Sequence, residues 1–201
     1  MTAQRHFRED LERLKSLLMQ MAGGAEEAVR LAVGALLERD GEKATRAIRL
    51  DREIDALELE IDDLAINLLA LQQPMARDLR LITMTMKISN DLERVGDHAV
   101  NIAQQVEHLL SARIFPALPE IEEMARVASE MLKDSLNSFV RADSALARDV
   151  VLRDDRVDEL HDNVFRILLT HMMEDPRKIG PGMDLRSEEH TSELQSQDGI
   201  S

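Results

Sequence analysis

Three pairs of carboxylates are spaced four residues apart: Asp51 with Asp55, Glu93 with Asp97, and Asp154 with Asp158. On a helix that spacing puts both side chains on one face, one turn apart, so each pair offers side-by-side oxygen ligands. Four carboxylates with no thiolate and no close imidazole suit hard, oxygen-preferring cations such as Mg, Mn or Fe, and suit zinc less well. Spacing alone selects nothing. Ten acid pairs in the chain lie four apart, against about seven expected from acid content alone. Like charges one turn apart also repel, so a solvated helix face is the default meaning of any single pair. Placement sets these three apart.

That placement follows from three long apolar series. The first runs Phe7, Leu11, Leu14, Leu18, Met21, Ala25, Ala28, Ala32, Ala35. The second is Ala47, Leu50, Ile54, Leu57, Ile61, Leu64, Leu68, Leu71, and the third Leu81, Thr85, Ile88, Leu92, Val95, Ala99, Ile102, Val106, Leu109. Steps of three and four residues sustained over several heptads predict one apolar seam per helix and left-handed bundle packing. Short breaks at Asp40-Gly41 and Gln73-Pro74 make neighbouring helices antiparallel. Gly23-Gly24 inside the first series reads as a kink. The first two carboxylate pairs therefore fall on antiparallel neighbours, beside or outside the seams, where they could face each other across a surface groove.

Pro116 and Pro119 mark the next boundary, and beyond it the pattern restarts. A shift of 103 residues places Met21-Ala22 on Met124-Ala125, Asp40 on Asp143, and the stretch from Leu50 to Leu57 on that from Arg153 to Leu160. One ungapped offset spanning two helices, and not a multiple of seven, points to an internal duplication. The third carboxylate pair is then the repeat image of the first. The seams of the second repeat read Ile121, Met124, Ala128, Met131 and Val150, Val157, Leu160, Val164, Ile167. Its third helix should begin near Met183-Asp184-Leu185. From Arg186 the chain instead reads RSEEHTSELQSQDGIS, which resembles translated sequencing-adapter read-through. The expected organisation is all-α: a first three-helix bundle over 1–113, a second over 117–185 lacking most of its third helix, and a foreign or disordered tail over 186–201.

Composition narrows the function. The 201 residues include 39 acids against 25 bases, a net charge of -14, so a polyanion is repelled by the average field and nucleic-acid binding is not expected. Aromatics make up only 2%, with no Trp and no Tyr, too few for a base-stacking surface. The absence of Cys removes disulfides, thiolate metal sites and Cys nucleophiles together, and fits a reducing compartment. The longest uncharged stretch, Leu64 to Ala76, is too short to span a membrane, and the charged N-terminus lacks a signal peptide's apolar core. A cytoplasmic protein is expected. His98, Arg94, Asn101 and Asn90 flank the second carboxylate pair; each supports either the site or an ordinary solvated face. The eleven Met residues read as core filler.

The stretch MARDLRLITMTMKISNDLERVGDHAVNIA, residues 75–103, closely resembles the signature of PhoU proteins, regulators of phosphate uptake. HFREDLERLK near the N-terminus, LLERD at 36–40 and LDREIDALELEIDDLAINLLALQQP at 50–74 match the same family, and the resemblance covers residues 5–185 in order. It implies two three-helix bundles in tandem, with (E/D)xxxD pairs holding metal clusters at the bundle surface. Carried over, the first site is Asp51, Asp55, Glu93 and Asp97, and Asp154 with Asp158 form half of a second. The implied cofactor is a divalent or trivalent metal ion, Fe, Mn or Mg. The resemblance further implies a non-enzymatic negative regulator of phosphate homeostasis. It would act on the phosphate ABC transporter's ATPase and a sensor histidine kinase, as a homodimer held at the inner face of the membrane through its partners. Two other functions compete with this one. The first is a metal-free helical adaptor. The second is a carboxylate-bridged di-metal oxidase, whose Glu-x-x-His pairs are approximated only by Asp158 and His161.

Overall fold

The computed structural model describes residues 2–72, 74–110 and 119–174, and among them the chain is helix and short turns. Five helices follow in order: α1 (Thr2–Glu38), α2 (Gly41–Gln72), α3 (Ala76–Leu110), α4 (Pro119–Arg141) and α5 (Ser144–Glu174). The first three pack mutually as an antiparallel bundle, α5 pairs with α4, and α4 also lies against α1. The duplication expected from the sequence is visible in this order: two long-helix hairpins, of which the first carries a third helix. The break around Pro116, the helix expected near residue 183 and the tail over 186–201 lie outside the described residues.

The two hairpin turns show how local chemistry sets the frame. Arg39 and Ala142 adopt positive φ angles of 57° and 55°. In each turn the next N–H reaches back to close the preceding helix, Asp40 donating to the Ala35 carbonyl at 3.0 Å and Asp143 to the Ser138 carbonyl at 2.8 Å. The same aspartate then caps the next helix. Asp40 Oδ1 accepts from the N–H groups of Glu42 and Lys43 at 2.9 and 3.1 Å, and Asp143 Oδ1 from those of Ala145 and Leu146 at 3.0 and 3.1 Å. Turns 103 residues apart thus have the same geometry.

The core lies among α1, α2 and α3, where Leu14, Leu18, Met21, Ile54, Ile61 and Ile82 exclude solvent completely. Thr85 and Ser89, buried in the same core, donate their hydroxyls to the carbonyls of Leu81 and Met86 one turn back, so neither polar group is stranded. α1 departs from the one-seam expectation. It also buries Leu17, Leu31 and Val33, and it touches three helices rather than two. Leu136, Leu132 and Phe139 of α4 join this core, whereas the core between α4 and α5 alone is small: Val164, Leu168 and Met172 against Ile121 and Ile167. Two expected seam residues face out. Leu71 is 75% exposed, in the last turn of α2 where the chain is about to reverse, and Ala128 is exposed on α4. Along α5 it is Leu168, one residue past Ile167, that is buried. α1 runs unbroken as α-helix through Gly23 and Gly24; the role of Gly24 is a packing contact that bears on the site.

Candidate functional site

The four carboxylates of the first expected site come from the α2–α3 pair, and a glycine decides how close they approach. Ile54 of α2 is wedged between α1 and α3 with no exposed surface. A Cβ on Gly24 of α1 would stand 3.3 Å from Ile54 Cγ1, and one on Gly96 of α3 would stand 3.1 Å from Ile54 Cδ1. A Cβ at Gly96 would also stand 3.0 Å from Asp51 Oδ1. The missing side chain lets the Asp51 carboxylate settle against the α3 backbone between Glu93 and Asp97. There its Oδ1 is buried and accepts no hydrogen bond. A buried carboxylate oxygen left without a donor is costly to ionise unless a cation or proton supplies the missing partner.

Electrostatics bring the two pairs together. Burial pushes the Asp51 carboxyl above its usual range, and the charges of Asp55 and, from the other helix, Asp97 add to the shift. Glu93 is pushed up to about 7, first by burial, then by Asp97, Glu58, Asp55 and Asp51. Each helix's pair feels the pair across the groove, so all four acids share one patch. Asp51 and Glu93 are half-buried at its base, and Asp55 and Asp97 are exposed at its lip. Among the described residues no three acid or histidine side chains already form a preset ligand cage for a metal ion. The residues nevertheless fit a hard cation in kind: an orphaned buried oxygen, mutually repelling carboxylates, and two exposed acids free to turn inward.

Glu58 is the residue that sequence reasoning left out. It lies one turn beyond Asp55 and raises the Glu93 pKa more than Asp55 does. The signal was present, since Glu58 and Asp62 form another pair four apart on α2. Of the flanking candidates, His98 is half-buried, whereas Asn90, Arg94 and Asn101 are exposed. Asp154 and Asp158 are exposed on α5, whose packing partner is α4. No α3-like helix faces them among the described residues, and the expected second half of their site lies outside those residues.

The PhoU domain family matches residues 18–106 and 121–187. A phosphate-specific transport system accessory protein PhoU homolog from Aquifex aeolicus is 41% identical over 179 residues, covering 88% of this chain and 80% of that protein. The homolog of the same name from Zymomonas mobilis is 40% identical over 176 residues, covering 86% of this chain and 73% of its own. The crystal structure of PhoU from Pseudomonas aeruginosa superposes with a TM-score of 0.83 at 35% identity, covering 89% of this chain and 86% of that one.

Proposed function

The chain belongs to the PhoU family, and from that premise we propose that it is a non-enzymatic accessory protein of phosphate-specific transport. It restrains phosphate uptake and the starvation response when phosphate is plentiful. Its partners in this reading are the ATPase of the phosphate ABC transporter and a phosphate-responsive sensor histidine kinase, which it meets in the cytoplasm, at the inner face of the membrane, as a homodimer. The observation that carries the reading is the match of both repeats to one domain family, together with relatives named as accessory proteins of phosphate-specific transport. Among the described residues no helix is long and apolar enough to cross a membrane.

Asp51, Asp55, Glu93 and Asp97 would hold a metal ion, Fe, Mn or Mg, with Asp154 and Asp158 contributing to a second site. A bound cation would neutralise the acid patch and lock α2 to α3. Asp51 and Glu93 would anchor it from the groove base, while Asp55 and Asp97 would close over it. The orphaned Asp51 oxygen supports this. The alternative reading is a metal-free helical adaptor, which metal analysis separates from this one. The oxidase reading has no support in the geometry, because Asp158 is exposed rather than directed into a core.

Two experiments test this. Deleting the gene should leave the phosphate-starvation response switched on in phosphate-rich medium, and an unchanged response would overturn the regulatory reading. Metal analysis after gentle purification should find Fe, Mn or Mg in the wild type and much less in Glu93→Ala/Asp97→Ala. Equal metal in both would remove the site, and none in either would leave the adaptor.

A further inference from the structure

At the end of the molecule away from the α1–α2 turn, the N-terminal halves of α1 and α3 and the α4–α5 turn enclose an open groove of about 920 Å³. Its floor is apolar, built from Leu11, Leu81, Met84 and Phe139. Its rim carries Arg8, Arg77 and Arg80, all exposed and none in an ion pair among the described residues. The other charges lining it are mostly engaged. Lys15 pairs with Glu12 at 2.8 Å, and Asp143 caps α5 through the N–H groups of Ala145 and Leu146. Among the described residues Asp78 and Asp143 oppose the three arginines, and the lining keeps an excess of positive charge.

This reverses the local charge of an acidic chain. From Leu64 to Asn90 the sequence holds Arg77, Arg80 and Lys87 against Asp78 alone, in a molecule of net charge -14. Apolar surface continues past the groove along the α2–α3 turn, with Leu71 75%, Met75 82% and Leu79 42% exposed. A recessed apolar floor edged by free guanidinium groups matches an elongated ligand with one apolar face and acidic flanks. A small anion would leave the floor bare, and a flat lipid surface would not reach it.

We infer that this groove docks an acidic amphipathic helix of a protein partner. Its apolar side chains, spaced by three and four, fill the floor, and its flanking carboxylates pair with Arg8, Arg77 and Arg80. That the partner belongs to the phosphate-transport machinery rests on the family reading above; the chemistry of the groove does not.

The full chain should bind a fluorescent synthetic helix of about 20 residues with Leu at three-four spacing and Glu on both flanks. Arg8→Glu/Arg77→Glu/Arg80→Glu should weaken it at least tenfold, and Arg166→Glu, exposed on α5, should not. A second peptide with Lys in place of Glu should bind the triple variant better than the wild type, which a misfolded variant could not do. No binding to the wild type, or equal binding to the triple variant, overturns the inference. So does arginine-dependent binding of phosphatidylglycerol vesicles without peptide binding, or arginine-dependent self-association in its place. The purified transporter ATPase and the kinase's cytoplasmic region separate the two readings. If they bind the wild type and the triple variant alike, the groove is wrong and the family partners stand. If they bind neither while the peptide binds the wild type, the partners are wrong and the groove stands.

Discussion

At Leu18, Met21, Ala25 and Ile54 the α1–α3 bundle excludes water completely, whereas the residues 103 positions later stay open: Ile121, Met124 and Val157 are half-buried and Ala128 is exposed. The two hairpins share turn geometry and caps, so the turns do not explain the difference. What differs is α3. It seals the seam between α1 and α2, and its Gly96 admits the Asp51 carboxylate. On α5 the equivalent pair, Asp154 and Asp158, faces solvent. The α4–α5 hairpin also holds itself together differently. Leu31 and Leu50 belong to the first core, but their repeat images are Asp134 and Arg153, which form an ion pair between α4 and α5 at 2.6 Å. A third helix thus does two things at once: it completes a core, and it turns a spaced pair of acids into a site.

The largest test of this contrast is a pair of truncations. Ile54→Ala should cost about 2–5 kcal/mol in chemical denaturation, because its cavity opens between three close-packed helices. Val157→Ala, half-exposed in the hairpin, should cost less than about 1.5 kcal/mol. Equal losses would show that α3 is not what separates the regions.

Gly96→Ala comes next, at about 1–3 kcal/mol. The new methyl would meet Asp51 Oδ1 at 3.0 Å, so the carboxylate must swing out and metal uptake should fall along with stability. A variant of wild-type stability and metal content would place the Asp51 carboxylate elsewhere.

A smaller effect comes from protonation. In the metal-free protein, with chelator present, the folded form holds Glu93 at about 7, above the ordinary glutamate value of 4.5 that stands for the unfolded chain. Between those values the native state binds more protons than the unfolded state, so stability falls as pH rises through this window. Glu93→Gln removes that dependence. It should be more stable than wild type at pH 8 and nearly equal at pH 4, with solvent screening keeping the gain at or below about 1 kcal/mol. A wild type whose advantage over the variant grows with pH would contradict the shared-patch electrostatics.

The smallest concerns the turns. Ala142→Gly relieves a left-handed residue worth about 1–2 kcal/mol and gives back about 0.4–1 kcal/mol of unfolded-state freedom. A net stabilisation of about 0.5 kcal/mol by thermal or chemical denaturation follows from these two terms. A loss of stability would break the equivalence of the turn with its partner at Arg39, which has the same handedness and nearly the same φ.

Much of this architecture is legible in the amino-acid sequence alone. The three-four spacing from Leu11 to Ala35 and from Ile54 to Leu68 predicts the helices, and Asp40 and Asp143 predict where they restart. The spacing of Asp51 with Asp55 and of Glu93 with Asp97 puts each pair on one face of its own helix. Glu58 escapes notice there because its pair with Asp62 is indistinguishable from a solvated face until α3 stands opposite. The wide burial of α1 escapes notice because heptad phase cannot count neighbours: Leu17 and Leu31 read as flanking positions until the packed structure shows them buried.

The sequence by itself determined the helices, the turns, the duplication and the family, because each is written in contacts within a few residues or in a pattern repeated along the chain. Only the tertiary structure decided that Gly96 faces Asp51, that burial and the acids across the groove push the Glu93 carboxyl up, that α4 shares the first core, and that Asp154 and Asp158 are exposed. The physical reason is range. Helix phase sets which face of a helix is apolar, but burial and charge coupling depend on which distant helix comes within a few ångströms of that face.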